Sequence, residues 1–268
     1  MKEQELRFSG TVPGNYQELM VPLLFAPYAE ELARRALQFR PERIIETAAG
    51  TGAVTEMLHR VLPDAEIIAT DLNQPMLAIA GERIVSSKAA FITADAEDLP
   101  FDGSGFDLVV CQFGAMFFPD KVRAHSEARR LLKPKGHYLL AIWDRIERNE
   151  LCNAAQQLLI DTFPDDPPLF MREGPFGYHD PARIEADLHD AGFETVEIET
   201  VELRSRGPSA EQAAKALCFG TPMGVELEER GHDSLEPVFA ALEKALQPFE
   251  GANGIDAGMA AHIVTATR

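Results

Sequence analysis

The sequence predicts an α/β fold built on a doubly wound, seven-stranded, mostly parallel sheet, and three observations lead there. Between about residues 43 and 143, short β-branched or apolar runs alternate with segments that carry apolar residues at helical spacing. The run Phe106–Gln112 is nearly all apolar, as a strand covered on both faces has to be. Two further strand-like runs follow much later, which places an antiparallel terminal hairpin at one edge of the sheet.

Taken in order, Tyr16–Gln38 reads as one or two helices, with Leu19, Leu23, Leu24, Tyr28, Leu32 and Ala36 on an inner face. Pro22 and Pro27 predict a break or kink in it. Strands are expected at Arg43–Thr47, Glu66–Thr70, Ala90–Thr93, Phe106–Gln112 and Gly136–Trp143, with helices at Ala53–Leu62, Gln74–Val85 and Lys121–Leu132. Leu151–Phe163 is helical, and Thr162–Pro175, dense in proline and acid, is a loop. Ala182–Ala191 is a helix closed by Gly192, the residue type that suits the position just past a helix end. The late strands are Glu194–Arg204 and His262–Ala266, separated by a helical insertion with glycine joints over Ser209–Ala257. This gives an N-terminal helical lid (1–40), a core (41–145) and a remainder carrying helical cap insertions (146–268), all one continuous domain.

Composition narrows the function. With 43 acidic against 25 basic residues the formal charge is −18, a field that repels a phosphate backbone, so nucleic acid is excluded as the expected partner. The basic residues Lys121, Arg123, Arg129, Arg130, Lys133 and Lys135 read as the solvated face of a helix and its flank. Cys111, Cys152 and Cys218 lack the pairing density of a disulfide framework and the CxxC spacing of zinc or redox sites, so no metal is expected. No apolar run reaches the roughly 18 residues of a membrane span, and the polar start MKEQELRFSG is no secretory signal. The expectation is a cytoplasmic protein.

The most informative stretch is IIETAAGTG (44–52), a buried strand running into small residues and then a helix. Small residues let the backbone turn sharply and come close to a ligand, and exposed amides at a helix start favour polar groups. Asp71 stands 21 residues beyond Gly50 at the end of the next strand, the offset at which an acid in Rossmann-like folds accepts bonds from ribose hydroxyls. Asp71 could instead cap the helix beginning near Gln74.

Together IIETAAGTG, ATDLNQPML, ITADAEDLPF, FDLVVCQFGAMFFPD and LLKPKGHYLLAIW, in this order over about residues 40–145, resemble the class I S-adenosylmethionine-dependent methyltransferases. Within them the chain looks most like the branch with the ubiquinone/menaquinone C-methyltransferases. One departure is Ala48, where the family loop has its first glycine. The resemblance implies transfer of a methyl group from S-adenosylmethionine to a small-molecule acceptor on C, O or N, with S-adenosylhomocysteine as product. It implies Glu46 near the methionine amino group and Thr47, Ala48, Gly50 and Gly52 as the backbone cradle. Asp71 would hold the ribose, Leu72 and Met76 would pack on adenine, and Asp95 and Ala96 would contact its edge. Gln112 and Phe113 would lie beside the methionine part, and Tyr16 would close over the cofactor from the lid.

The alternatives are a nicotinamide-dependent oxidoreductase, which shares the sheet and the ribose acid, and a non-catalytic S-adenosylmethionine-binding regulatory protein. The Tyr-x-x-x-Lys pair of short-chain reductases is absent, since Tyr16, Tyr28, Tyr138 and Tyr178 are followed four positions later by Met20, Leu32, Ile142 and Ala182. Asp166-Pro167-Pro168-Leu169 imitates an amino-methyltransferase motif but stands far from the fourth strand, where that motif belongs, and reads as a loop. A general base is needed only if the acceptor must lose a proton, and Asp144, His125 and His179 are the candidates. The acceptor, expected to be partly apolar, would meet the divergent segments, with Phe163, Phe170, Met171, Phe176 and Phe219 as candidate lining. A homodimer is compatible with the sequence, which does not fix the oligomeric state.

Overall fold

The sheet is organised by which strands can be covered on both faces. In the computed structural model, which describes residues 12–231 and 234–268, β1 (Arg43–Thr47) and β4 (Phe106–Gln112) lie at its centre and are almost wholly buried. The polar start read over residues 1–10, and two positions of the expected insertion, 232 and 233, lie outside the described residues. β2 (Glu66–Asp71) and β3 (Ala89–Thr93) extend the sheet from β1, and β5 (Leu132–Trp143) from β4, every neighbouring pair parallel. The strand order is β3-β2-β1-β4-β5-β8-β6, with β6 at Thr195–Gly207 and β8 at Gly254–Thr267. The seven strands of this path match the expected number. A two-residue β7 (Glu250–Gly251) pairs with the start of β8 as an eighth. β8 runs antiparallel to β5, with Tyr138 opposite Ala266 and Trp143 opposite Ala261. It begins inside the stretch read as helical insertion, whose last residues from Gly254 are therefore strand.

Helix α1 (Ala26–Phe39) takes up the second part of the expected leading stretch, and α2 (Ala53–Val61), α3 (Gln74–Arg83) and α4 (Lys121–Leu131) fall within a few residues of expectation. They are followed by α5 (Glu150–Thr162), the short α6 (Phe170–Glu173) inside the expected loop, and α7 (Pro181–Asp190). Gly192 follows α7 at φ +92°, the left-handed conformation its position called for. The insertion holds α8 (Ala210–Phe219), α9 (Met223–Glu229) and α10 (Glu236–Leu246).

At the prolines expected to break or kink the helix, the chain changes helix type without being interrupted. Tyr16–Phe25 is a π-helix containing Pro22, and it passes directly into α1. Its wider ladder is seen where the Ala26 N–H bonds the Val21 carbonyl, five residues back. Pro27 cannot offer an N–H to the Leu23 carbonyl four residues earlier, and the Ser205 hydroxyl donates to that carbonyl instead, at 2.8 Å.

The chain divides into two compact units whose boundaries differ from the three segments expected. One, Tyr28–Asp144 with Tyr178–Val201 and Ala261–Arg268, contains the parallel strands. Here the 0%-exposed Tyr28, Leu32 and Ala36 fix the inner face of α1, and the Tyr28 hydroxyl donates to the Val201 carbonyl at 2.9 Å. The other is built, among the described residues, from those up to Pro27, Arg145–Gly177 and Glu202–Ala260. In it α8 packs on α10 and on the π-helix, and α5 on α10. Asn149 brackets Ala260 with two backbone bonds of 3.2 Å, holding the start of α5 to β8. No described helix is long and apolar enough to cross a membrane.

Candidate active site

The strand order reverses between β1 and β4, and in an open α/β sheet ligands bind outside the carboxyl ends of the strands at such a switch point. Each of those two strands ends on a residue with left-handed backbone that is not glycine, Ala48 at φ +53° and Phe113 at φ +52°. Such conformations cost a side-chain-bearing residue of order 1 kcal/mol and concentrate at functional sites. At Ala48 the neighbour has been cut back to match. A side-chain carbon built on Gly114 would stand 2.3 Å from the Ala48 methyl, so alanine at 48 is accommodated by glycine at 114.

The loop between β1 and α2 then turns on two glycines with different tasks. Gly50, at φ +56°, would carry a side chain into open space, with nothing within 4 Å. Gly52, at φ +81°, would drive one to 2.9 Å from both the Ala80 Cβ and the Ile84 Cδ1. Gly50 thus leaves room above the loop, while Gly52 lets α2 start against α3. Ala49 is tied to β2 through its N–H and the Thr70 carbonyl at 2.9 Å, and Arg83 donates to the Thr51 carbonyl at 2.9 Å.

Two acids flank this loop. Glu46 is buried at the end of β1, and its carboxylate accepts from the Thr55 hydroxyl at the start of α2. Burial, set against the Thr55 bond and reinforced by the nearby Asp71 charge, pushes its pKa up to about 8. Asp71 accepts from the Gly50 N–H at 2.8 Å with one oxygen and from the Asn73 N–H at 2.7 Å with the other. Burial raises its pKa as well, against these two bonds. Capping of α3 falls to Asn73, whose side chain accepts from the Met76 N–H at 3.0 Å, so Asp71 is not the cap. Thr47 and Met76 are buried, and Leu72 is half-buried beside Asp71.

Beyond β3, Asp95 and Asp98 form an isolated bridge around the turn Ala96–Glu97, and the Asp95 carboxylate accepts from the Glu97 N–H at 2.9 Å. Beyond β4, Gln112 is half-buried and the Phe113 N–H bonds the Ala141 carbonyl at 2.8 Å. The Phe113 ring lies flat on Trp143, with centroids 3.7 Å apart, and both rings meet Tyr28 edge-on at 5.4 Å. Sequence reading did not anticipate this aromatic cluster.

The candidate bases separate clearly. His125 is 0% exposed on the inner face of α4, edge-on to Tyr138, and burial takes its pKa down to about 4. It is an internal residue, which corrects its candidacy as a base. His179 is half-buried, and its carbonyl accepts from His262 Nε2 at 2.9 Å. Asp144, just past β5, lies 3.5 Å from the same His262 nitrogen, and His262 Nδ1 meets the Thr200 hydroxyl at 2.9 Å. His262 was passed over in the sequence because it reads as one residue of a strand; only the pairing of β5 with β8 brings it to Asp144. Tyr16 lies on the π-helix, stacked on Phe25 at 5.0 Å. Of the apolar candidates, Met171 and Phe176 are buried and Phe219 packs on Phe239 at 5.9 Å. Among the described residues no three His, Cys, Asp or Glu side chains are grouped to hold a metal ion.

Four of the six basic residues expected on a solvated face make internal bonds. Lys133 pairs with Asp107 at 2.6 Å, Lys121 donates to the Phe118 carbonyl at 3.0 Å, and Arg123 and Arg130 bond backbone carbonyls.

Comparison with known proteins gives the same picture. A family model described as a methyltransferase domain matches residues 45–140. A demethylmenaquinone methyltransferase of Thermotoga maritima is 32% identical over 142 residues, which is 52% of this chain and 61% of that protein. The chain covers between 49% and 66% of the length of the first curated relatives it matches. Among solved structures, a SAM-dependent methyltransferase from Thermotoga maritima is similar at a TM-score of 0.58 and 19% identity, covering 98% of each chain. A phosphoethanolamine N-methyltransferase of Haemonchus contortus in complex with S-adenosylhomocysteine is similar at 0.53 and 16%, over 85% of this chain and 49% of that one. At these identities the solved structures establish the fold.

Proposed function

We propose that this chain, whose residues 45–140 match a methyltransferase domain model, belongs to that family and transfers a methyl group from S-adenosylmethionine to a small-molecule acceptor. The observation that carries the reading is the pair of acids, Glu46 and Asp71, around the open face of Gly50. A carboxyl held neutral by burial and by a neighbouring acid is stabilised as the anion when a cation arrives, and the methionine ammonium is such a cation. A dinucleotide would bring a diphosphate to this loop, an anion that cannot stabilise the charged form of Glu46 as the methionine ammonium does, so the buried Glu46 favours the ammonium-bearing cofactor over the nicotinamide alternative.

The residues present fit the cofactor. Glu46 takes the ammonium, and the backbone of Thr47 to Gly50 lies along the methionine part with Gln112 and Phe113 opposite. Asp71 retains lone pairs for ribose hydroxyls beyond its two backbone bonds. Leu72 and Met76 pack on adenine, and Asp95 and Ala96 meet its edge. When bound, S-adenosylmethionine supplies a methyl group already activated by its sulfonium, so the chain has only to align the acceptor and keep water out. If the acceptor must lose a proton, Asp144 is the candidate to take it; its carboxylate lies 3.5 Å from His262 Nε2, which itself bonds the His179 carbonyl. Relatives named for demethylmenaquinone support an aromatic, partly apolar acceptor methylated on carbon.

Calorimetric titration of the full chain with S-adenosylmethionine, S-adenosylhomocysteine and NAD tests the cofactor. Binding of the first two and not the third is expected; selective NAD binding would overturn it. With [methyl-³H]S-adenosylmethionine, label should pass to members of a panel of hydroxylated aromatics, quinols and amines, whereas no labelled product from a chain that binds the cofactor would leave a binding protein.

A further inference from the structure

The turn assigned to the adenine edge has little structure of its own. One bridge, Asp95 to Asp98, closes it around Ala96 and Glu97, and the chain then runs without regular structure to β4. What fixes its course is α4. Glu97 is held twice at the start of that helix, its carbonyl by Arg123 Nε and its carboxylate by the Asp120 N–H, each at 2.8 Å. Asp120 is also the helix cap, accepting from the Arg123 N–H at 3.0 Å. The last turn of α4 holds the next stretch. Arg130 donates to the carbonyls of Leu99 and Phe101, at 3.0 and 2.7 Å, and Glu127 accepts the Leu99 N–H at 3.0 Å. Arg130 and Glu127 are themselves joined by two bonds of 2.7 Å, the fork geometry that fixes both side chains.

Apart from the Glu97 carboxylate, these bonds go to backbone atoms of alternate residues, 97, 99 and 101, so the arginines and Glu127 specify the path of the chain and not its side chains. A path fixed at both ends of a helix fixes where the Asp95 carboxylate stands. We propose that Arg123, Glu127 and Arg130 are positioning residues for base recognition, setting the Asp95–Ala96 turn so that the site distinguishes adenine from a 6-oxopurine. This rests on the S-adenosylmethionine reading, in which Asp95 meets the adenine edge, where the 6-amino group is the donor that a carboxylate can accept from. Selectivity follows because a carboxylate fixed in place gains a bond from an amine and meets repulsion from a carbonyl oxygen, whereas a loose one turns aside from the mismatch.

The test compares S-adenosylhomocysteine with S-inosylhomocysteine, its 6-oxo analogue, by calorimetry on the full chain. Wild type should prefer the adenine compound by at least about tenfold, the worth of one well-placed hydrogen bond. Arg130→Ala should weaken the adenine compound by about tenfold and leave the inosine compound nearly unchanged, bringing the ratio close to one. Arg130→Lys, which keeps a cation and donors, should restore part of the ratio, and Arg123→Ala should act in the same direction. A folded Arg130→Ala that weakens both ligands equally, or neither, would overturn the proposal and leave the cofactor reading intact. If Arg130→Ala does not fold, the Arg123→Ala ratio decides in the same way. Wild type that binds both compounds alike also overturns it, and wild type that binds neither removes the cofactor reading and the proposal with it.

Discussion

The loop after β1 and the loop after β3 reach the same edge of the sheet by opposite means. The first is shaped by what is missing: no side chain at Gly50, none at Gly52, and none at Gly114 where the Ala48 methyl lies. The second is shaped by what is added, two arginines and a glutamate that reach from α4 to its backbone. A loop built by omission is rigid where it is packed and strained where its residues are bent. A loop built by side chains can be released one bond at a time. Substitutions therefore cost most stability in the first and most selectivity in the second.

The largest expected effect lies beside the first loop, at Glu46. Its folded pKa of about 8 stands above the unfolded value near 4.5, so the stability this gives is complete below pH 4.5 and is lost as the pH rises to about 8. At about 1.36 kcal/mol per pKa unit the loss approaches roughly 5 kcal/mol. Glu46→Gln should remove that slope, gaining on wild type between pH 5 and pH 9 in urea denaturation; parallel stability curves for the two proteins would contradict it. Cofactor binding near pH 7 should also release a proton, seen as a dependence of binding heat on buffer, and Glu46→Gln should abolish the release.

Next in size is the contrast between the two glycines. Gly52→Ala combines a left-handed backbone with a methyl 2.9 Å from Ala80 and Ile84, and should cost about 2–4 kcal/mol in thermal or urea unfolding. Gly50→Ala carries the backbone cost alone, about 1 kcal/mol, yet should weaken S-adenosylhomocysteine far more than its stability changes. Equal stability losses at the two positions would erase the distinction between packing and cradle. Asp71→Ala should weaken the cofactor by about 1–3 kcal/mol, since ribose hydroxyls and the Gly50 N–H both lose an acceptor. Unchanged affinity would remove Asp71 from the site.

The smallest effect is also the most pointed. Gly114→Ala clashes with the Ala48 methyl at 2.3 Å, but in an Ala48→Gly background the nearest remaining atom is Cys111 Sγ at 3.0 Å. A double-mutant cycle should show a coupling of about 1–2 kcal/mol in which Ala48→Gly rescues Gly114→Ala. Additive unfolding energies would mean that alanine at 48 is not what requires glycine at 114.

The first loop was legible in the sequence because omission shows: glycines, small residues and an acid 21 positions on form a pattern within one βαβ unit. The parallel strands were legible for a related reason, since burial on both faces leaves runs such as Leu108–Cys111 without a polar residue. The second loop's supports were not. Arg123, Glu127 and Arg130 recur at the spacing of an ordinary solvated helix face, and nothing in one chain shows that such a face meets a backbone instead of water. His262 was hidden likewise, because its partner Asp144 comes from another strand. The helix runs on through the prolines with a change of type, and the Ser205 hydroxyl donates to the Leu23 carbonyl that Pro27 leaves without an N–H, a partner from a distant strand that one chain's spacing does not show.

The position of β8 also bears on the order in which the molecule is made. β6 emerges from the ribosome well before β8, yet the finished sheet seats β8 between β5 and β6. Until β8 arrives, β5 offers a bare edge and β6 has no neighbour in the sheet, so a nascent or truncated chain presents two open strands to chaperones or to other copies of itself.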